Sequence, residues 1–441
     1  MSDLRQALTN PSSYQKAIQQ SRYHSQLSTK QIENISFNLA NLVQDGRFEF
    51  APASQTQYQR FDGAWRPCLQ YSLNDFLVNK VITNSLTQSF EPKCSPNVYG
   101  FMPHRSGAQA VAKFCHFLKT QVDQQGKLDI WMIMSDIKNA HQSFPIHKNS
   151  LLWEKLGNLI YPETEPVDPY IDALITASIA PYYYTKDKKL AQHNAGLPTG
   201  NPISNILQNI YLTEVDELIP KCPDIFYARY GDDVLIAGNN KQTILDWEEA
   251  FFNCLKKLEL TPNMRKHQHI YFSKNGYRSN DVNFIGKNTL FFLRQVITAD
   301  GSIYLPKIEN HLFYVRCRQS IIKNHHLCQS KLIDEQGKFI CHRLADELLH
   351  LNLKNTHKIH TLTVRPDSNK DCNIMLCAHS HSFLKEMDRK IAEMIAEELS
   401  GIAGSKAFRV IPYKKIRAEW GLPSLVKMVN QFHSVRRNGL N

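Results

Sequence analysis

No stretch of this sequence approaches the ~20 consecutive apolar residues that a membrane span needs, so an integral membrane protein is not expected. The first residues, MSDLRQALTN, lack the apolar core of a secretory signal, and the ten cysteines show none of the regular spacings of a disulfide framework. A reducing cytoplasm is the expected compartment. Internal repeats and low-complexity tracts are also missing, which sets aside solenoids and disordered tails. What remains is ordinary for a globular chain: 42% apolar and 21% charged residues over 441 positions, enough for two or three packed substructures.

Negative charge is the minority sign. Lys and Arg outnumber Asp and Glu by 52 to 41, a net +11, and the excess is unevenly placed. Residues 301–441 carry 22 basic against 13 acidic side chains (+9), whereas residues 1–300 carry 30 against 28 (+2). A polyanionic partner fits such a distribution, because Lys and Arg gain free energy by releasing counterions from a phosphate backbone. A solvated basic face with no partner is the competing reading.

Three regions differ in pattern. Residues 1–70 are polar, rich in Gln and Ser, with weak helical periodicity between Ile32 and Val43, and read as a helical lead-in. From about residue 71 short apolar runs alternate with helical ones, as in a mixed α/β or α+β body extending to about 290. Residues 291–441 are basic and histidine-rich, and Phe383, Leu384, Met387, Ile391, Met394, Ile395 and Leu399 recur at helical spacing.

The chemistry-bearing residues lie in the middle region. In IFYARYGDDVLIAG (Ile225 to Gly238) two adjacent aspartates sit between β-prone apolar runs, with Gly231 offering the backbone freedom of a tight turn. By itself Gly-Asp-Asp could be generic turn chemistry. A second segment, LDIWMIMSDIKNAHQSF (Leu128 to Phe144), contains an apolar run that ends almost on Asp136 and fits a central strand. If that strand lies beside the hairpin, Asp136 meets Asp232 and Asp233, and three close carboxylates require a compensating cation. Hard oxygen donors suit Mg²⁺, and two such ions roughly 3.5–4 Å apart can activate a primer 3′-hydroxyl and stabilise departing pyrophosphate.

In order and spacing, the segments over roughly residues 70–290 resemble the motif series of reverse transcriptases. VYGFMPHRSGAQAV (Val98 to Val111) is similar to the fingers motif, which implies that Arg105 faces the incoming triphosphate or the template. SDIKNAHQSF resembles the first catalytic motif, with Asp136 and the Ile137 carbonyl as metal ligands, and YGDD (Tyr230 to Asp233) the second. GLPTGNPISNILQNIYLTEVD (Gly196 to Asp216) resembles the loop, with Pro198 and Gly200, and the helix that support template and nascent base pair. LELTPNMRKHQ resembles the segment whose lysine, here Lys266, would sit near the triphosphate, and VNFIGK resembles a primer grip at Phe284 and Gly286. The resemblance implies an α+β right-hand polymerase: fingers and an antiparallel-sheet palm over 71–290, then a basic helical thumb and C-terminal extension over 291–441. It implies two Mg²⁺ ions, with Mn²⁺ as a substitute, dNTPs, an RNA template and an RNA/DNA duplex as partners.

Departures from the family pattern leave alternatives open. His141 stands where many relatives carry Phe or Tyr, the aromatic that excludes a ribose 2′-hydroxyl, and Ala140 precedes it, so the choice of dNTP over NTP is inferred only. Gly231 before the paired aspartates is also typical of viral RNA-dependent RNA polymerases, although the Gly-Leu-Pro of residues 196–198 resembles reverse transcriptases. A catalytically retired RNA-binding scaffold is the rival from another class. No His-Asn endonuclease or ribonuclease H pattern is present, and the layout resembles compact bacterial abortive-infection, retron-like and defence-associated enzymes that work with a dedicated non-coding RNA. Two further features stay ambiguous. Cys372, Cys377, His379 and His381, near His357 and His360, have zinc-ligand chemistry but no common finger spacing. Tyr182, Tyr183 and Tyr184 with Lys186, Lys188 and Lys189 suit base stacking or, equally, a helix end with half-buried tyrosines.

Overall fold

Three helices open the chain: α1 (Asp3–Thr9), α2 (Pro11–Gln19) and α3 (Thr29–Gln44). Their starts follow from local chemistry. Asn10 accepts the Ser12 N–H ahead of a proline at the first helical position, and Ser28 with Gln31 forms a capping box. The computed structural model describes residues 3–428 apart from 22, 60–64, 124–125, 162–166, 223, 275, 277–280, 294, 305–306 and 351–380. The lead-in is helical only to Gln44. Strands β1 (Ala53–Gln59) and β2 (Trp65–Gln70) then pair antiparallel, and the polar side chains of β1 hide the alternation that usually announces a strand. Their apolar anchor is small, being Ala53, Leu69 and Tyr71.

The chain continues through α4 (Leu73–Phe90), α5 (Gly107–Thr120), β3 (Ile130–Ser135), α6 (Ala140–Ser143), α7 (Leu151–Ile160) and α8 (Pro169–Ile179). Next come β4 (Tyr182–Tyr184), β5 (Leu190–Gln192), α9 (Ile203–Tyr211), α10 (Thr213–Glu217), β6 (Ile225–Tyr230), β7 (Asp233–Gly238), α11 (Lys241–Lys257) and β8 (Gln268–Phe272). It then forms β9 (Ile285–Lys287), β10 (Thr289–Phe292), β11 (Gln295–Thr298), β12 (Ile303–Tyr304), α12 (Lys307–His326), α13 (Ile333–His350) and α14 (His381–Ser400). Two compact units emerge, one built from residues up to Ser106 with Ile130–Ile270, the other from Gly107–Asp129 with residues from Tyr271 onward.

The first unit is organised around a sheet in which β6, β7, β3 and β8 follow one another, with β7 antiparallel to both β6 and β3. Residues Phe226–Arg229 and Val234–Gly238 are buried without alternation, so both faces of the sheet are covered. Helix α11 packs on β3 and β7, bringing Trp247 and Phe251 into one core with Ile133, Val234 and Ile236. Helix α4 is buried on nearly every side, as its apolar residues at Leu77, Val78, Val81, Ile82 and Leu86 require. Withdrawing each such side chain from water contributes roughly 1.5–3 kcal/mol. A second sheet has the order β2-β1-β4-β5, with β4 parallel to β1. The tyrosine segment is therefore a strand, not a helix end, and it presents Tyr182 and Tyr184 to solvent.

The second unit contains the antiparallel order β10-β11-β12 and a helical core. Leu384, Met387, Ile391, Met394 and Ile395 of α14 are buried there with Phe313, Ile321 and Leu344, which accounts for the helical spacing seen in the sequence. Among the described residues no helix is long and apolar enough to cross a membrane, and no disulfide joins two cysteines.

Candidate active site

Only Gly231 and Asp232 separate β6 from β7, because Tyr230 already pairs with Asp233. Gly231 has φ +65°, the positive value that the first position of a two-residue hairpin loop demands and that a side chain would resist. On the other side of β7, Ser135 of β3 lies opposite Val234, so the next residue, Asp136, comes level with Asp233. The three carboxylates thus share one edge of one sheet. Asp136 is buried, Asp232 half-buried and Asp233 exposed. Burial lifts the Asp232 carboxyl above the ordinary aspartate range, and the charge of Asp136 adds to the effect.

One cation is built into this cluster. The Lys266 ammonium hydrogen-bonds Asp136 Oδ2, and that bond, reinforced by the charges of Asp136, Asp233 and Asp232, raises the lysine pKa. The other oxygen, Asp136 Oδ1, is buried and accepts no hydrogen bond among the described residues. A carboxylate oxygen withdrawn from water with no donor is costly unless a cation meets it. The chain after Asp136 is pinned by the 261–263 segment: Asn263 N–H donates to the Asp136 carbonyl (2.8 Å), Lys138 N–H to the Thr261 carbonyl (2.9 Å), and Ile137 bridges Pro262.

Behind the Gly231–Asp232 turn lies a buried polar network that the sequence reading missed. Arg229, 1% exposed, holds Asp216 through Nε (2.8 Å) and Nη2 (2.7 Å), while its Nη1 donates to Asn209 Oδ1 (3.0 Å) and to the Gly231 carbonyl (2.9 Å). Tyr227 donates its hydroxyl to the same Asp216 (3.0 Å). Burial works against the guanidinium charge, and Asp216 more than offsets it, so the Arg229 pKa rises. Asn209 also donates to the Gly100 carbonyl (2.8 Å), and Gly100 sits so close that a Cβ there would lie 2.6 Å from the Gly231 nitrogen. The available signal was a lone arginine inside an apolar strand, which implies a buried acidic partner.

A family profile described as reverse transcriptase (RNA-dependent DNA polymerase) matches residues 57–289, just over half of the chain. The chain belongs to the reverse transcriptase family. Its fold is accordingly the α+β right-hand polymerase fold. A curated relative, the "Uncharacterized 91 kDa protein in cob intron" of Schizosaccharomyces pombe, is 28% identical over 172 residues, covering 39% of this chain and 19% of that protein. The chain therefore spans less than a fifth of that relative's length. Among solved structures, apo telomerase from Candida tropicalis is similar with a TM-score of 0.44 at 14% identity, covering 84% of this chain and 68% of that one. Telomerase from Candida albicans, solved with a TWJ fragment of telomeric RNA, has a TM-score of 0.42 at 12% identity, covering 95% and 68%.

His141 lies on α6; burial holds its pKa below the usual histidine value, with Asp232 opposing, and its Nδ1 is buried with no hydrogen-bond partner among the described residues. The loop carrying Pro198 and Gly200 runs beside it. Leu197 N–H donates to the His141 carbonyl (2.6 Å), Pro198 accepts from Asn201 N–H (3.0 Å) and the Ser204 hydroxyl (2.7 Å), and Leu69 of β2 donates to Thr199 next to Gly200 (2.8 Å). Arg105 gives Nη1 to the Ser95 and Val98 carbonyls, tying that loop. Phe284 and Gly286 belong to the second unit, Phe284 buried just before β9 and Gly286 within it. Cys372, Cys377, His379, His357 and His360 lie outside the described residues, and His381 is the exposed first residue of α14.

Proposed function

We propose that the protein is an RNA-directed DNA polymerase that extends a primer with dNTPs, using Asp136, Asp232 and Asp233 as the metal-holding carboxylates. The observation that carries this reading is the level placement of Asp136 with the β6–β7 turn, with a buried Asp136 oxygen that accepts no hydrogen bond. An all-oxygen donor set of two or three carboxylates, with the Ile137 carbonyl in reach along the chain, fits Mg²⁺ and admits Mn²⁺. Bound there, divalent ions supply activation of the primer hydroxyl and charge stabilisation of the leaving pyrophosphate. Lys266 holds a proton beside the carboxylates, where a triphosphate brings further negative charge. His141, whose pKa burial holds below the usual histidine value, meets the sugar face of the nucleotide, the loop of Pro198 and Gly200 supports the template, Arg105 faces the incoming triphosphate or the template, and Phe284 and Gly286 grip the primer. Residues 71–290 serve as fingers and palm and residues 291–441 as thumb, whose basic side chains ride the duplex backbone without reading sequence.

Purified protein with Mg²⁺ and a primed homopolymer RNA, given dNTP and NTP pools separately, tests this. Incorporation from dNTPs is expected, abolished by chelator, and reduced about 10³-fold in Asp136→Asn or Asp232→Asn, the loss of several kcal/mol of transition-state stabilisation. Incorporation from NTPs alone would make the product RNA, and none from either pool would leave an RNA-binding scaffold. At finer grain the enzyme is a bacterial one of antiphage defence that copies a dedicated non-coding RNA, a reading supported by its resemblance to compact defence-associated forms. Cells carrying the locus should restrict phage plating, and equal plating with the Asp232→Asn version would remove the defence role.

A further inference from the structure

On the α11 side of β3, a second cluster of ligating side chains takes no part in the chemistry above. Glu248 of α11 faces His267, just before β8, and His269 within it. His267 Nε2 is 2.5 Å from Glu248 Oε1, and His269 Nε2 is 2.9 Å from each Glu248 oxygen. One ligand atom from each of the three residues falls within 4.8 Å of the others, and all three belong to the first unit. The site is enclosed on one side, since the His267 side chain is 4% exposed, Glu248 14% and His269 26%. The imidazoles stand edge to face at 5.1 Å, and Phe252 lies against His267 at 5.2 Å, which limits how either ring can turn.

The decisive contact is on the far side of His267. Its Nδ1 is 3.1 Å from the hydroxyl of buried Ser135, the residue immediately before Asp136. When Nδ1–H donates to that oxygen, Nε2 carries the lone pair and points it at a carboxylate. In that tautomer a cation held by the three side chains takes the place of the proton that otherwise bridges Nε2 and Glu248, and an outer hydrogen bond of this kind is how ligating histidines are normally oriented. We propose that Glu248, His267 and His269 form a binding site for a borderline divalent ion of the Zn²⁺ class, separate from the carboxylates of the active site. Two imidazole nitrogens and one carboxylate are a recurrent three-ligand set for zinc, with the fourth position left to water. The ion ties α11 to β8 and, through His267 and Ser135, braces the end of β3 that delivers Asp136. The site does not depend on the polymerase reading.

The test uses the full-length protein, stripped with chelator and titrated with Co²⁺ as a spectroscopic probe, then with Zn²⁺ in competition. Expected is one equivalent with the visible bands of nitrogen- and oxygen-ligated cobalt and no sulfur charge-transfer band, displaced by Zn²⁺ and accompanied by a rise in Tm. Ser135→Ala should weaken binding about tenfold, as loss of an outer hydrogen bond does. Glu248→Gln and His269→Gln, checked for folding by circular dichroism, should weaken it further, whereas Asp136→Asn and Cys372→Ser/Cys377→Ser should keep it. Absence of the equivalent from the wild-type protein would overturn the proposal. So would its persistence in both Glu248→Gln and His269→Gln, or a sulfur band lost in the cysteine variant.

Discussion

Arg229 shows what a single side chain contributes to this site. Four hydrogen bonds from its guanidinium reach Asp216, Asn209 and the Gly231 carbonyl, so one residue neutralises a buried acid and clamps the backbone of the turn that presents Asp232. Removing one partner of a buried pair strands the other charge, a loss of about 3–5 kcal/mol. Arg229→Met is therefore expected to cost that much in chemical denaturation and to depress nucleotide incorporation as well. Adding Asp216→Leu should recover much of the stability without restoring activity, because the apolar pair no longer holds Gly231. Recovery of full activity in the double variant would show that the clamp is dispensable. Lys266 acts by a different balance: its side chain is largely exposed, so its bond to Asp136 serves placement of charge more than stability.

At the scale of elements, the site depends on how closely the 97–101 segment approaches the hairpin. Val98 bridges Arg229, Tyr99 N–H donates to the Arg229 carbonyl (2.8 Å), and Phe101 packs on Tyr230 at 5.7 Å. Two glycines divide the work. A Cβ at Gly100 would meet the backbone nitrogen of Gly231 at 2.6 Å, which cannot yield, whereas a Cβ at Gly231 would find its first neighbour at 3.4 Å, the ring of Phe101, and would suffer only the strain of φ +65°. Gly231→Ala should thus cost roughly 1–2 kcal/mol and keep measurable incorporation. Gly100→Ala should destabilise more and lose activity through displacement of the turn. Equal Tm shifts and equal activities for the two variants would contradict this ordering.

Taken as a whole, the molecule concentrates its positive charge in the C-terminal third, +9 of the net +11. If that surface follows the backbone of a template–primer duplex, affinity should fall steeply and log-linearly with salt, each phosphate contact contributing about 0.7–0.9 to the slope. Truncating paired Lys and Arg in α12–α14 to Ala should flatten the slope, while Asp136→Asn should leave it unchanged. Equilibrium binding across a salt series reads both. Much of this protein could be read along the chain, because each motif is local: an apolar run ending on Asp136, a β-prone pair around Gly231-Asp232, and a Gly-Pro loop before α9 are each set by neighbouring residues. The sequence alone thus determined the family and the α+β class, and it singled out the three acids that the sheet brings level. Other features depended on contacts between distant positions. That β1 is a strand was masked by its polar side chains, that β2 is one by its proline, and that β4 is one by its three residues, too few to show a period, so pairing across the sheet selects the conformation. The Asp216–Arg229–Asn209 clamp and the Glu248–His267–His269 cluster exist only once helices close onto the sheet, since no spacing rule links residues that meet across packed elements. Tertiary structure decided these, for the physical reason that a buried charge is tolerated only beside a partner the fold brings to it.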